Sequence, residues 1–351
     1  MACLRCPHRA YHLPFPTMPS FQHQLVKTLL SAAAGPIARR RPTLNTLRLG
    51  LELSTLLQFM PWNVHFERAD TGSTGVVAEW IEPDGADRRR VLLYLHGGAY
   101  VMGSLNTHRG FIGALAQQCG LRALSADYRK APEHPFPAAL HDAAAAWHWL
   151  LGQGYRPQDV VLAGDSAGGG LVLALMLYLR KAGLPQPAAA LCLSPWSDLA
   201  IPGSAAFTAE KLPDEAKLVE ALEIKAWGQQ YAGSTPLTHP MLSPLFAELH
   251  DLPPLLLQVS DGELLYPDTL ALATKARTAG VPVTLQTFEG LVHWWHLFWR
   301  TVPEAKQALQ QAGDFVQGVW RAQAAAEQLL AQKHLGAKRP KPIRAVARAA
   351  A

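Results

Sequence analysis

Ser166 stands at the centre of Gly164-Asp165-Ser166-Ala167-Gly168, and His96-Gly97-Gly98-Ala99-Tyr100 begins 70 residues before it. The first segment offers a hydroxyl nucleophile. The second offers main-chain N–H groups that can hold the negative charge created when such a hydroxyl adds to a carbonyl carbon. The apolar run Val160-Val161-Leu162-Ala163 precedes the serine and Leu171-Val172-Leu173-Ala174-Leu175 follows it. This is the strand, sharp turn and helix that a G-x-S-x-G serine requires. Glycines on both sides let the strand and helix close on the serine. The second segment leaves another apolar run, Val91 to Leu95. Its amides at Gly97, Gly98 and Ala99 can join the Ala167 N–H as an oxyanion hole, in which each donor is typically worth about 10²–10³ in turnover.

These loops need strands to carry them. Strand patterns run over Val76–Ile81, Val91–Leu95, Arg122–Ala126, Val160–Gly164, Ala188–Ser194, Leu255–Val259 and Val283–Phe288. Helices are expected near 108–118, 137–152, 167–182, 267–279 and 303–332. Such alternation predicts an α/β fold with a mostly parallel central sheet flanked by helices. Two further helices, Phe21–Ala34 and Thr43–Met60, precede the first strand, with Pro36 and an arginine run between them.

A serine nucleophile also needs a base and an acid, which in this arrangement follow it in the order acid, then histidine. His293 follows the strand 283–288 and the loop Glu289-Gly290-Leu291-Val292, which brings it to the sheet edge where the other strands end. His296 is its rival, with packing among Trp294, Trp295 and Trp299 as the alternative role. The segment Ser260 to Asp268 follows strand 255–259 and offers three carboxylates: Asp261, Glu263 and Asp268. Asp268 suits the first turn of the next helix. Asp165 is expected to hydrogen-bond around the turn, and Asp127, Arg129 and Glu133 to form an internal ion pair in a proline-rich crossover. Tyr100, Trp196 and Trp227 are candidates for a substrate pocket, with core packing as the alternative.

Over roughly residues 60 to 325 the chain resembles the hormone-sensitive lipase family of α/β-hydrolase carboxylesterases. The likeness rests on the two segments above, on Asp127-Tyr128-Arg129-Lys130-Ala131-Pro132-Glu133, on Phe136-Pro137-Ala138-Ala139 and on Ser194-Pro195-Trp196-Ser197-Asp198. It implies an α/β-hydrolase fold with a helical cap. Residues 18–60 would supply the N-terminal cap helices, an insertion at about 205–232 would complete the cap, and residues 61–332 would form the catalytic domain. It implies a serine esterase working through an acyl-enzyme on short to medium acyl esters. The family's Gly-x-x-His falls on His293, and its acid pattern falls on Glu263, with Asp261 one position type earlier as the alternative. The family's third oxyanion glycine is Ala99 here, which keeps the N–H and adds a methyl to the acyl side. Lipase or amide hydrolase action on the same triad, and a non-catalytic ligand-binding homologue, are the alternative readings. No cofactor and no metal are expected.

The net charge of +5 is local: residues 333–351 carry six basic side chains and no acid, which leaves the rest of the chain one unit negative. A solvated basic tail fits better than nucleic-acid binding, since no aromatic residues interleave the charges. No run of eighteen apolar residues exists, so no transmembrane segment is expected. Residues 1–17 read as a disordered leader, because Cys3, Cys6 and His8 lack a second ligand pair. Cys119 and Cys192 read as packed thiols in a reducing, cytoplasmic compartment. The partner expected is a small-molecule ester, and a homodimer stays open.

Overall fold

The computed structural model describes residues 18–40, 42–200 and 224–337. Eight strands form one sheet: β1 (Val64–Ala69), β2 (Val77–Pro83), β3 (Asp87–Leu95), β4 (Leu121–Asp127), β5 (Val160–Asp165), β6 (Ala189–Leu193), β7 (Leu255–Ser260) and β8 (Val283–Phe288). Their spatial order is β1-β2-β4-β3-β5-β6-β7-β8. β2 runs antiparallel to both β1 and β4, and every other pair is parallel. The helices are α1 (Phe21–Arg40), α2 (Leu44–Ser54), α3 (Leu105–Cys119), α4 (Ala138–Gly152), α5 (Ala167–Lys181), α6 (Ile224–Ala232), α7 (Tyr266–Thr278) and α8 (Pro303–Ala337).

The central strands read as unbroken apolar runs because both of their faces are covered. Alternate residues then enter different cores. Val91, Leu93 and Leu95 pack with α4, α5 and α7, whereas Leu92 and Tyr94 pack with α3 and α8. A third cluster joins Phe288, Leu291, Val292 and Trp295 to Ala305 and Ala308 at the start of α8, with Val26 of α1 against it.

Strand β1 has no counterpart in the sequence expectation. Its residues Val64-His65-Phe66-Glu67-Arg68-Ala69 form the edge, with His65, Glu67 and Arg68 exposed, so their charges dilute the apolar alternation. α1 continues past Pro36 to Arg40, although a proline removes an intrahelical bond. α2 stops at Ser54, before a short 3₁₀ turn at Thr55–Leu57, so it is shorter than the expected Thr43–Met60; Thr43 instead caps it, accepting the Thr46 N–H. α8 extends to Ala337, beyond the expected end at 332. Of the insertion at 205–232, residues 224–232 form α6, and the remainder lies outside the described residues. So do the leader at 1–17 and residues 338–351 of the tail.

In the parallel part, Leu95 lies opposite Gly164, Asp165 opposite Leu193, Leu193 opposite Gln258 and Ser260 opposite Phe288. The five loops that follow these strands therefore emerge on one edge. From β3 the chain crosses to β4 on one side, and from β5 to β6 on the other, so the loops after β3 and β5 flank a topological switch point. That is where open α/β sheets place their ligands.

Candidate active site

Ser166 joins β5 to α5 with φ 52° and ψ −121°. A non-glycine residue at positive φ costs on the order of 1–3 kcal/mol and persists only where its surroundings over-determine it. Here the Ser166 N–H donates to Leu193 O at 2.8 Å, and Ser166 O accepts from Trp196 N at 2.9 Å and Gly170 N at 3.1 Å. A Cβ at Gly168 would overlap the Leu95 carbonyl, so the close approach of α5 to β3 requires glycine there.

The Ser166 Oγ lies 2.9 Å from His293 Nε2. On the other side of the ring, His293 Nδ1 lies 2.6 Å from Glu263 Oε2. A carboxylate only accepts, so Nδ1 carries the proton and Nε2 is left to accept from the serine. The Glu263 side chain is fully buried, with Oε1 accepting from Ser194 Oγ at 2.8 Å, the Ser260 N–H at 2.8 Å and Trp295 Nε1 at 3.1 Å. Four donors on two oxygens compensate the buried charge.

Asp261, the alternative acid, does not reach His293. It is exposed and accepts the Gly290 N–H at 2.6 Å, while its own N–H donates to Phe288 O at 3.0 Å, so it fastens the base of the histidine loop. His296 is buried and bonds Gln258 Oε1 through Nε2 at 3.1 Å. It stacks on Trp295 with ring centroids 3.7 Å apart. Burial pushes its pKa down to about 3, which makes it a neutral core histidine. Asp268 lies in the first turn of α7.

The oxyanion loop departs from expectation at one residue. Gly97 donates its N–H to Asp165 Oδ1 at 2.9 Å and so is not a free oxyanion donor. A Cβ at Gly97 would overlap the Asp165 carboxylate, so this glycine serves close packing. Gly98 and Ala99 follow at φ 121° and 53°, and their N–H groups have no hydrogen-bond partner among the described residues. The Ala167 N–H opens α5, where first-turn amides have no intrahelical acceptor and the helix dipole favours negative charge.

Asp165 is the anchor of this arrangement. Its Oδ1 also accepts the Tyr94 hydroxyl at 2.7 Å, and His108 Nε2 faces its Oδ2 at 3.4 Å. Burial opposes its ionisation, but His108 and then Tyr94 outweigh this and hold the carboxyl well below the usual range. The expected internal ion pair of the crossover is instead three separate contacts. Asp127 pairs with Lys130 at 2.6 Å and also meets His96 at 3.3 Å; Arg129 pairs with Asp142 of α4 at 2.7 Å; and Glu133 pairs with Arg48 of α2 at 2.7 Å.

The cleft beside the serine is lined by Phe111, Leu193, Trp294 and Leu297 together with Ser166 and His293. Tyr100 and Trp196 are buried in the core. Tyr100 stacks on Tyr231 at 3.8 Å, and Trp196 donates Nε1 to Asp198 O at 2.8 Å. Trp227, on α6, is half-buried against the same core. Among the described residues, no group of three or more His, Cys, Asp or Glu side chains is arranged to hold a metal ion.

Residues that sequence reasoning assigned no role complete the site. Ser194 and Trp295 hold Glu263, and the signal available for Ser194 was its position at the end of β6, on the same edge as Ser166.

A serine at a strained strand-to-helix turn, in contact with a histidine that in turn meets a carboxylate, both later in the chain, is the arrangement of the α/β-hydrolase class of fold and site. Residues 92–297 match the sequence profile of the α/β hydrolase fold family. An acetyl-hydrolase of Streptomyces hygroscopicus is 44% identical over 239 residues, covering 68% of this chain and 79% of that protein. An esterase of Acinetobacter venetianus is 32% identical over 299 residues, covering 84% of this chain and 96% of its own. A crystal structure of an esterase from the bacterial hormone-sensitive lipase family superposes with a TM-score of 0.72 at 39% identity, covering 82% of this chain and 97% of the other. The chain belongs to the α/β hydrolase fold family, and within it to the hormone-sensitive lipase group of esterases.

Proposed function

We propose that the protein is a serine carboxylester hydrolase in which Ser166 is the nucleophile, His293 the general base and acid, and Glu263 the group that orients His293. The observation that carries this reading is the unbroken chain of contacts from Ser166 Oγ through His293 to Glu263, at 2.9 and 2.6 Å. His293 Nε2 takes the serine proton as Oγ adds to the ester carbonyl. Glu263 holds the ring in the tautomer that makes this possible and stabilises the imidazolium without taking its proton. The Gly98, Ala99 and Ala167 amides receive the developing oxyanion. His293 then protonates the departing alcohol, and water repeats the sequence on the acyl-enzyme.

Short to medium acyl groups suit the site best. The Ala99 methyl occupies space that a glycine would leave open, and the relative from Streptomyces hygroscopicus carries the name acetyl-hydrolase. A second reading, action on long-chain water-insoluble esters, draws on the exposed apolar side chains Leu49, Leu53, Leu56 and Leu57 of α2 and the turn after it. Among the described residues no helix is long and apolar enough to cross a membrane. Free, buried Cys119 and Cys192 agree with a reducing compartment such as the cytoplasm.

The test is p-nitrophenyl ester hydrolysis by Ser166→Ala. Turnover should fall by about 10⁴–10⁶ with the fold intact, and substantial residual turnover in the folded variant would overturn the assignment. An acyl series from acetate to palmitate should peak at the short end. A maximum at palmitate, with a sharp gain on emulsified substrate, would favour the second reading.

A further inference from the structure

Helix α1 makes a contact that the triad itself does not require. The imidazole of His23, buried at 1% exposure, accepts the Val292 N–H through Nε2 at 3.0 Å. Val292 is the residue immediately before His293. Three consecutive amides of this loop are each held by a side chain: Gly290 by Asp261 Oδ1 at 2.6 Å, Leu291 by Ser260 Oγ at 2.8 Å and Val292 by His23. The first two acceptors lie at the end of β7 and in the loop after it that carries Glu263, so they tie base and acid to each other. The third comes from a separate element.

Accepting at Nε2 places the His23 proton on Nδ1, a buried atom with no hydrogen-bond partner among the described residues. Leaving a buried donor unsatisfied is unfavourable. An apolar side chain of similar volume would avoid that cost but could not accept from Val292. The start of α1 is docked by contacts of its own that do not involve the imidazole: the Ser20 N–H and hydroxyl bind Glu304 of α8 at 2.6 and 2.8 Å, Ser20 Oγ accepts the main-chain N–H of His23 at 3.2 Å, and the Pro19 ring lies where a Cβ of Gly290 would point. Burial is the largest influence on the His23 pKa and lowers it; Glu304 acts against it and Lys27 with it, and the net lowering favours the neutral, accepting ring.

We infer that His23 is a positioning residue for the reaction, fixing through the Val292 N–H the peptide that presents His293 to Ser166. The inference rests on the reading of Ser166, His293 and Glu263 as the triad. Misplacing a catalytic group by about 1 Å can cost 10²-fold in rate, so a second-element anchor on this loop acts on kcat.

The test compares kcat and KM for p-nitrophenyl acetate in the wild type, His23→Leu, His23→Gln and Ser20→Ala. Leucine keeps apolar bulk and removes the acceptor, whereas glutamine returns an acceptor near the Nε2 position. Ser20→Ala loosens the start of α1 and leaves the His23–Val292 bond. In His23→Leu, kcat should fall by roughly 10–100-fold with KM near wild type. His23→Gln should recover most of that loss, and Ser20→Ala should keep wild-type kcat. Wild-type kcat in folded His23→Leu, or an equal loss in Ser20→Ala, would overturn the inference. Should His23→Leu not fold, His23→Asn, whose shorter amide falls short of Val292, takes its place with the same expectation. A wild-type chain without ester hydrolysis would count against the triad itself, whereas an active wild type indifferent to residue 23 removes only the role of His23.

Discussion

At the scale of single residues, the acid is the sharpest case. Glu263 and Asp261 lie two positions apart on one loop, yet one faces the imidazole with four donors around it and the other fastens a main-chain amide. Glu263→Gln keeps the shape and can turn an amide N–H toward Nδ1, stranding the ring in the wrong tautomer. Turnover should fall by roughly 10³–10⁴. Asp261→Asn retains an oxygen for the Gly290 N–H, and its turnover should stay near wild type; steady-state kinetics of the two variants decide. The oxyanion loop teaches the same lesson. Gly97, Gly98 and Ala99 are three adjacent amides that sequence reasoning treats alike, and only the direction of the backbone sends the first into Asp165.

At the scale of elements, α2 packs Leu44, Leu47 and Leu51 on the core and is tied to two neighbouring loops by Arg48. Arg48 Nε donates to Val101 O at 2.7 Å and one terminal nitrogen to Ala131 O at 2.8 Å, while the guanidinium also pairs with Glu133. The two carbonyls belong to the oxyanion loop and the crossover, so this residue ties α2 to the segment that follows His96. The Glu133 carboxylate is half-exposed, and its pairing with Arg48 lowers its pKa to about 2. Solvent screens such a pair, so Glu133→Gln should cost under about 1 kcal/mol. Arg48→Ala also leaves two carbonyls without their charged donor and should cost about 1.5–3 kcal/mol. Urea unfolding midpoints separate the two, and equal losses would show that the carbonyl contacts contribute nothing.

At the scale of the whole molecule, buried histidines set the response to acid. Burial lowers the pKa of His296 to about 3, from an ordinary value of 6.5. Between these values the unfolded chain binds a proton at this residue and the folded chain does not, so stability falls as pH drops from about 6.5 towards 3, by up to about 1.4 kcal/mol per pH unit. His23 and His96, lowered mainly by burial, act in the same direction. Asp127, lowered to about 2 in the fold, adds its loss only below the ordinary carboxylate value of 3.8. His296→Gln keeps a donor for Gln258 and cannot titrate. Its unfolding free energy should therefore depend less steeply on pH between 4 and 6, and an unchanged slope in chemical denaturation would refute this assignment.

The sequence by itself determined the parallel α/β framework, the strand-to-helix turn at Ser166 and the candidates for nucleophile, base and acid. Apolar runs, glycine turns and loop positions are local signals, and parallel pairing carries all their loops to one sheet edge. Edge strand β1 escaped because exposure lets charges break its pattern. Only the tertiary structure decided which carboxylate meets His293, which amide Asp165 consumes, and that Ser194, Trp295 and His23 close around the histidine loop. Those outcomes depend on side-chain contacts between segments as far as 269 residues apart, set by strand register and helix docking to within an ångström. No window of sequence contains both ends of such a bond.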